Sequence, residues 1–593
     1  MAADTYTNSA LLLSNSDLVM RIVRMVFWIE SEVSDRYHRL EYLQHVFRLS
    51  MVSQAWRRIL EPYLDSHLVV RITQTPKPTL LQKLTFARHQ IQTLSRRLSL
   101  SGRGNEPARG FGQVPVATMR QTNGALLQFS SNIHRAAASR VHTIVLSVDG
   151  LLFQQQIDLG LHALGFRQRE WTEARTLCLQ LEAEANCPVP YREVQLAHEQ
   201  TVQMVLEHAP HVASFFMVRL QMSHVRARIS LLSAFARNPR VRRLEVHSDI
   251  GCVDLPPCLP MLTSLAISIE PGSAATRRLP CMASRSLVKL ELHNVDPDVF
   301  QSMCEVQGTA VKFAELRSLR VQLRTRQYGE PVPDPPADAS LSSEDSSPLV
   351  FFPRLESAHI FGYQHRVPVG LFPALVAAPL RHLYIYLGIR DVLELELQNM
   401  RYLQNLRVFL PQIGAVQPVL DSVFARPAEY LHTVSIYTHM RLDGLLPNSL
   451  ELLRMRKLRL GALVPFRQVR TLVSQLPLLV YLKTNVAKDA DAEAVLTFAE
   501  MADRVLEYIC PVESRLQVLK LWHYEGFCTT DGRLSVRAAM VAGLLASIPS
   551  IVRFRGKVSV RDLRTALARI LDSEEVAARA GHLRYLEIED AYE

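Results

Sequence analysis

The chain has 593 residues, 48% of them apolar, and its 67 Lys and Arg against 57 Asp and Glu leave a net charge of +10. That apolar content buries a large core, and the length implies several domains or an array that grows by stacking. No run approaches the ~18 apolar residues that span a bilayer, and Arg21 and Arg24 interrupt the one early apolar stretch, so neither a membrane span nor a signal peptide is read and a cytoplasmic or nuclear protein is expected.

The first predicted elements are two short amphipathic helices. Leu18, Ile22, Val23 and Val26 form one apolar stripe, with Ser14 or Ser16 as cap and Asp17 in the first turn, where a carboxylate suits the helix dipole. Val46, Leu49, Val52, Ser53, Trp56 and Ile59 recur at three- and four-residue steps as a second, with Arg48, Gln54, Arg57 and Arg58 mostly opposite. Pro62 ends that helix, and His67-Leu68-Val69-Val70 reads as extended. Two such helices cannot bury both faces by themselves and call for a partner surface.

Leu13, Leu18 through Val26, then Leu49-Ser50-Met51-Val52-Ser53 and Trp56-Arg57 resemble the F-box, so residues 1–72 are read as an F-box-like helical domain. Ser14 stands where the family has Pro, and Trp28–Tyr42 lengthens the gap between the two halves. The resemblance implies docking onto the Skp-type linker protein of a cullin–RING ubiquitin ligase, with Leu13, Leu18, Ile22, Leu49, Val52 and Trp56 at or beneath the contact. The structural alternative is a terminal helical hairpin packed on the body.

Residues 73–140 read as a basic linker: a helix over Leu80–Leu98, a Gly- and Arg-bearing loop over Ser99–Gln113, and a helix over roughly Ala125–Ser139. Between Leu80 and Arg140 nine basic residues face one acid, Glu106, so this stretch supplies +8 of the charge. Phosphate contacts there are the basis of a nucleic-acid reading, which ranks below protein recognition because few aromatics interleave the charges.

From Val141 onward one pattern returns, apolar-x-x-apolar-x-apolar. It runs from Val241-Arg-Arg-Leu244-Glu-Val246 through Leu262–Ile267, Leu287–Leu292, Leu316–Val321, Leu380–Ile385, Leu403–Val408, Leu431–Ile436, Met455–Leu460 and Leu516–Leu521 to Leu583–Ile588. Most neighbours between Val241 and Val480 lie about 21–29 residues apart, near the leucine-rich-repeat period. Pro239, Pro260, Pro353, Pro379, Pro477 and Pro549 each precede such a segment. Helices are expected between them, at Ile229–Ala236, Gln468–Gln475, Glu493–Ile509, Ala538–Ala546 and Val560–Leu571. The fold class expected is α/β: the helical F-box-like domain, then an irregular leucine-rich-repeat solenoid, or horseshoe. Residues 141–323 and 349–593 form its two halves, and the Pro-, Ser- and acid-rich residues 324–348 read as a disordered insertion.

Catalytic constellations are absent from the sequence. His198-Glu199 lacks the second zincin His, since Val202 stands there, and Gly102-Arg-Gly104 lacks the third Gly of a dinucleotide loop. The eight cysteines contain no C-x-x-C pair, so reduced thiols and no metal, cofactor or enzymatic activity are expected. Side chains alternate across a strand, so the residues between the core positions share one face. Those are His382, Tyr384, Tyr386, Arg407, Phe409, Tyr437, Lys457, Arg459, Tyr481, Lys483, Lys520 and Trp522, a mixture of aromatics and cations suited to an acidic or phosphorylated peptide. The sequence therefore reads as the substrate-recognition subunit of an SCF-type ligase holding a protein target on the repeats. The alternatives are a non-ligase repeat scaffold and, third, nucleic-acid binding through residues 80–140.

Overall fold

A computed structural model of the chain describes residues 66–75, 117–122, 125–131, 138–149, 154–182, 191–220, 229–231, 234–235, 238, 240–246, 253–255, 259–268, 285–295, 300, 305–306, 309–323, 350–362, 371–386, 397–410, 430–438, 454–487, 514–525, 534–556, 558, 560–572 and 581–590. The chain is α/β and divides into two compact units, residues 1–287 and 288–593. Leu13, Leu18, Ile22, Leu49, Val52 and Trp56 lie outside the described residues, as do the expected helices over Leu80–Leu98 and Glu493–Ile509 and the 324–348 insertion.

In the first unit the strands are β1 (His67–Thr75), β2 (Ala117–Thr122), β3 (Ala125–Ser131), β4 (Thr143–Asp149), β5 (Thr176–Glu182), β6 (Ser214–Leu220), β7 (Arg243–Val246) and β8 (Ser264–Ser268). β3 pairs antiparallel with both β2 and β1; from β1 onward the order β1-β4-β5-β6-β7-β8 is parallel throughout. β3 corrects the expected helix over Ala125–Ser139. Its length in residues suits either state, but Thr122 pairs with Ala125 across Asn123-Gly124, a dipeptide that favours two-residue hairpin turns, and the pairing decides it. The expected helix over Ile229–Ala236 also opens differently, with Ile229–Ser230 paired to Val253–Asp254 in a short parallel ribbon. Helices α1 (Gln154–Ala163) and α2 (Tyr191–His208) fill crossovers, and Trp171 is fully buried against Phe166, ring centroids 5.7 Å apart.

The second unit continues the same logic with β9 (Lys289–Val295), β10 (Ser318–Leu323), β11 (Ser357–Phe361), β12 (His382–Tyr386), β13 (Asn405–Phe409), β14 (Thr433–Tyr437), β15 (Lys457–Pro465), β16 (Tyr481–Ala487), β17 (Val518–Glu525), β18 (Arg553–Gly556) and β19 (Glu587–Asp590). Each pairs in parallel with the next, in chain order. Helices α3 (Leu371–Val376), α4 (Phe466–Gln475), α5 (Leu534–Ser547) and α6 (Val560–Leu571) lie in the crossovers. α4 buries Val469, Leu472 and Val473 and exposes Thr471 and Ser474, the one-sided packing of a helix on a sheet.

Two local features make the unit repeat. Before many strands an N–H closes a turn onto the carbonyl three residues back, as in Leu262 to Leu259, Leu355 to Phe352, Leu403 to Met400, Leu479 to Leu476 and Ile551 to Ile548. Both residues of each such pair are buried. The repeating unit thus carries one more apolar position, three residues ahead of the apolar-x-x-apolar-x-apolar core, and Pro fits the next place because it fixes φ for the turn. The second feature is a carbonyl that accepts two successive N–H groups of the next strand's start. Arg381 O accepts from Gln404 and Asn405, Gln404 O from His432 and Thr433, and His432 O from Arg456 and Lys457. These shared acceptors align the starts of successive parallel strands.

Candidate functional site

The two units differ in how the non-core side of their strands is treated. In the first unit the middle of β4–β8 is buried on both sides: Val145 and Ser147 on β4, Cys178 and Gln180 on β5, Phe216 on β6, Glu245 on β7 and Ala266 on β8 are closed off along with the apolar residues between them, whereas Thr143, Thr176, Ser214, Arg243 and Ser264 at the strand starts are half-buried and Arg71 on β1 is exposed. In the second unit several strands alternate, though Glu291 on β9 and Ser435 on β14 are buried. On β12, Leu383 and Ile385 are buried while His382, Tyr384 and Tyr386 are half-buried, and β10, β11 and β15 repeat the pattern.

Register turns the alternation into rows. One row runs His359, Tyr384, Arg407, Ser435, Arg459, Lys483, Lys520 and Arg555. A second, one pleat toward the strand ends, runs Phe361, Tyr386, Phe409 and Tyr437. Eleven of the twelve face residues read from the sequence thus have described side chains on one side of β12–β17. Trp522 lies on β17, but its side chain is outside the described residues. Sequence reasoning missed His359 and Phe361, because β11 carries Ala358 where the template asks for a large apolar residue. It also missed Arg320 on β10 and Arg555 on β18.

The rings stack along the sheet. His359 lies 4.1 Å from Tyr384, Tyr386 4.6 Å from Phe409, and Phe409 6.2 Å from Tyr437, each pair within 26° of parallel. Guanidinium groups occupy remaining ring faces: Arg320 sits 5.1 Å from the Phe361 centroid, and Arg407 sits 4.9 Å from Tyr384 and 5.9 Å from Tyr437. Strand spacing of about 4.8 Å is what allows neighbouring rings in one row to stack. Asn405 Nδ2 lies 2.8 Å from His382 Nδ1 and ties the first residues of adjacent strands together.

Charge is segregated along the rows. At one end Lys289 pairs with Glu291 at 2.6 Å; at the other, Arg553 meets Glu587 at 2.8 Å and Arg555 meets Glu589 at 3.8 Å. Between them, the described side chains on this face of β13–β17 include Arg407, Lys457, Arg459, Lys483 and Lys520 and, among the described residues, no carboxylate. Three of these converge on one ring: Lys457 Nζ, Arg459 Cζ and Lys520 Nζ stand 4.9, 5.6 and 5.8 Å from the Tyr481 centroid.

The crowding shows in the titration of the lysines. Partial burial, then the charges of Arg459, Arg407 and Lys520, hold the Lys457 ammonium below the ordinary lysine range. Lys483 is lowered in the same way, by burial first and by Arg459, Lys520 and Arg555 against an opposing contribution from Tyr437. Burial raises the Tyr481 phenol, against the pull of Arg459. The Nε of Arg459 is enclosed without a hydrogen-bond acceptor.

Among the described residues no group of His, Cys, Asp and Glu is placed to hold a metal ion, and no helix is long and apolar enough to cross a membrane. Comparison of the chain with protein-family models and with curated proteins gives no match.

Proposed function

We propose that the chain is a protein-recognition subunit that holds its target on the half-buried face of β11–β17 and, through its F-box-like stretch, presents it to a cullin–RING ubiquitin ligase. The observation that carries the recognition half is the set of half-buried aromatics and cations on successive strands of the second unit, interrupted only by the small, buried Ser435 among the described residues of the row, where the middle positions of β4–β8 in the first unit are buried. Aromatic and Arg side chains supply most of the binding energy at protein interfaces, and here they are pre-stacked, so little side-chain entropy is lost on docking. Parallel strands repeating in chain order, many of them preceded by the same turn, support reading the array as irregular leucine-rich repeats.

The ligase half rests on the resemblance of Leu13–Val70 to the F-box. On that reading the chemistry belongs to other subunits, and this chain contributes proximity and orientation. The runner-up is a non-ligase scaffold that uses the same face without the linker protein. Co-purification with a Skp-type linker separates them: the ligase reading expects recovery with the wild type and loss with Trp56→Ala, and no recovery with the wild type rejects it. A Tyr386→Ser, Phe409→Ser variant tests the other half, and unchanged protein capture by that variant would remove the face from the proposal.

A further inference from the structure

The turns that lead into β12–β15 carry a surface separate from the strand face. The carbonyls of Arg381, Gln404, His432 and Arg456 each accept from the start of the next strand, so these four residues stand in line across the sheet. Two residues before the last three of them, Tyr402, Tyr430 and Arg454 form a second line. Leu403, Leu431 and Met455, between the two lines, are buried. Tyr402 and Tyr430 are 58% and 40% exposed, and Arg381, Arg401, Arg454 and Arg456 beside them are exposed as well. The Arg454 Cζ lies 5.4 Å from the Tyr430 centroid.

Charge along this edge changes within the unit. Ahead of β10 and β11 it is balanced: Arg354 pairs with Glu315, and Arg317 lies 4.0 Å from Glu356. In the turns ahead of β12–β15 the described residues hold four arginines and no carboxylate. A guanidinium is planar and takes two phosphate oxygens at once, where an ammonium acts as a point charge.

An acidic protein surface and a nucleic acid would both answer such a charge. The centre of a protein–protein interface is depleted of charge, whereas here arginines lie in both lines and flank the tyrosines. Nucleic-acid interfaces are much more positive than protein–protein ones. Single strands add bases that stack on aromatic rings, which a paired duplex does not offer. From β12 to β15 is three strand steps, about 14 Å at about 4.8 Å each. That length takes about four nucleotides at the ~3.4 Å rise of a stacked strand.

We propose that the edge formed by the turns ahead of β12–β15 binds single-stranded nucleic acid, with bases stacked on Tyr402 and Tyr430 and backbone phosphates held by Arg381, Arg401, Arg454 and Arg456. The inference goes beyond the proposed function. It uses neither the strand face nor the linker protein, and it places nucleic-acid binding outside residues 80–140.

The test is fluorescence polarisation with the full chain and labelled twelve-nucleotide oligouridine or oligothymidine over a series of salt concentrations. Four phosphate contacts give a slope of about −3 for the logarithm of affinity against that of salt. Arg454→Gln with Arg456→Gln should bring that slope about 1.4 closer to zero. The corresponding pair of Lys substitutions should keep the slope and bind more weakly, which separates lost phosphate contacts from a disturbed fold. Tyr402→Ala with Tyr430→Ala should weaken binding at least tenfold at an unchanged slope. Arg96→Gln with Arg97→Gln should change neither. Absence of binding to both oligonucleotides at low salt would overturn the proposal, as would binding that the edge variants leave intact or that only the Arg96, Arg97 variant removes. Equal affinity for a duplex of the same length would remove the role of the tyrosines, and equal affinity for a labelled twelve-residue polyglutamate would assign the edge to an acidic protein; either result also overturns it. None of these outcomes bears on protein capture through Tyr386 and Phe409.

Discussion

Tyr386 and Phe409 stack across adjacent parallel strands, ring centroids 4.6 Å apart and planes 26° from parallel. The contact exists because residues 386 and 409 are direct register partners on β12 and β13. An aromatic pair in this arrangement adds about 0.5–1.5 kcal/mol beyond the area it buries. A double-mutant cycle with Tyr386→Ala and Phe409→Ala should return a coupling in that range by urea unfolding. Additive losses would mean that the rings share only a surface.

The repeated turn yields a contrast within one dipeptide. Leu476 is fully buried and its carbonyl accepts the N–H of Leu479, whereas the adjacent Pro477 is exposed. Leu476→Ala should destabilise the second unit by about 2–5 kcal/mol, the range for emptying a core leucine site. Pro477→Ala should lose about 1 kcal/mol or less, because it changes only chain entropy. Chemical denaturation of both variants checks the pair, and equal effects would contradict the assignment of residue 476 to the core.

Much of this array was legible because burial on one side of a strand imposes a period, and the period survives in the letters. Leu380-Arg-His-Leu383-Tyr-Ile385 reads as a strand, and His382–Tyr386 is one. The reading failed where the side chain was small or the signal lay elsewhere. Pro353 marks a strand to follow, but Leu355-Glu-Ser-Ala358-His-Ile360 carries the small Ala358 where the pattern has a large apolar residue, so its face residues His359 and Phe361 are not legible from the pattern. Ala125–Ser131 reads as helix because Leu126, Leu127 and Phe129 suit either period; the local mark against it is Asn123-Gly124 between β2 and β3, while the other partner, β1, lies in another part of the chain. The shared carbonyl acceptors leave no trace in the sequence, being backbone groups common to every residue. That the middle non-core positions are buried on β4–β8 and half-buried on β10–β12 is likewise a property of tertiary packing.

Gly461 is a position where the absence of a side chain is structural. The register between β15 and β16 shifts between Leu460 and Leu463, and the Gly461 carbonyl accepts a hydrogen bond from Asn485 Nδ2. A Cβ there would stand 3.0 Å from Tyr437 Cα, 3.3 Å from the Thr438 nitrogen and 3.4 Å from the Ile436 oxygen. All three are backbone atoms of β14 or its end, so they cannot swing aside as a side chain would. Gly461→Ala is expected to destabilise by about 1–3 kcal/mol, the usual range for forcing a methyl into a packed site. Calorimetry reads this as a lower unfolding temperature, and an unchanged one would show that the two strands separate freely.

His359 makes the stability of the second unit depend on pH. Burial, followed by the nearby Arg320 charge, holds its imidazole pKa down to about 4, with Glu291 opposing and Arg407 and Lys289 assisting. In the unfolded chain the group titrates near its ordinary 6.5. Between those values the unfolded state binds the proton and the folded state does not, so stability falls as pH drops from about 6.5 to 4 and this contribution is constant above and below. Discounted for the partial exposure of the ring, the loss is about 2 kcal/mol. His359→Gln keeps a polar group of similar reach and removes the titration, so its urea midpoint should vary less steeply with pH over that window than the wild-type midpoint. Carboxylates that titrate in the same range are common to both proteins and cancel in the comparison. Parallel slopes for the two proteins would mean that His359 accepts its proton as readily in the stacked row as in water.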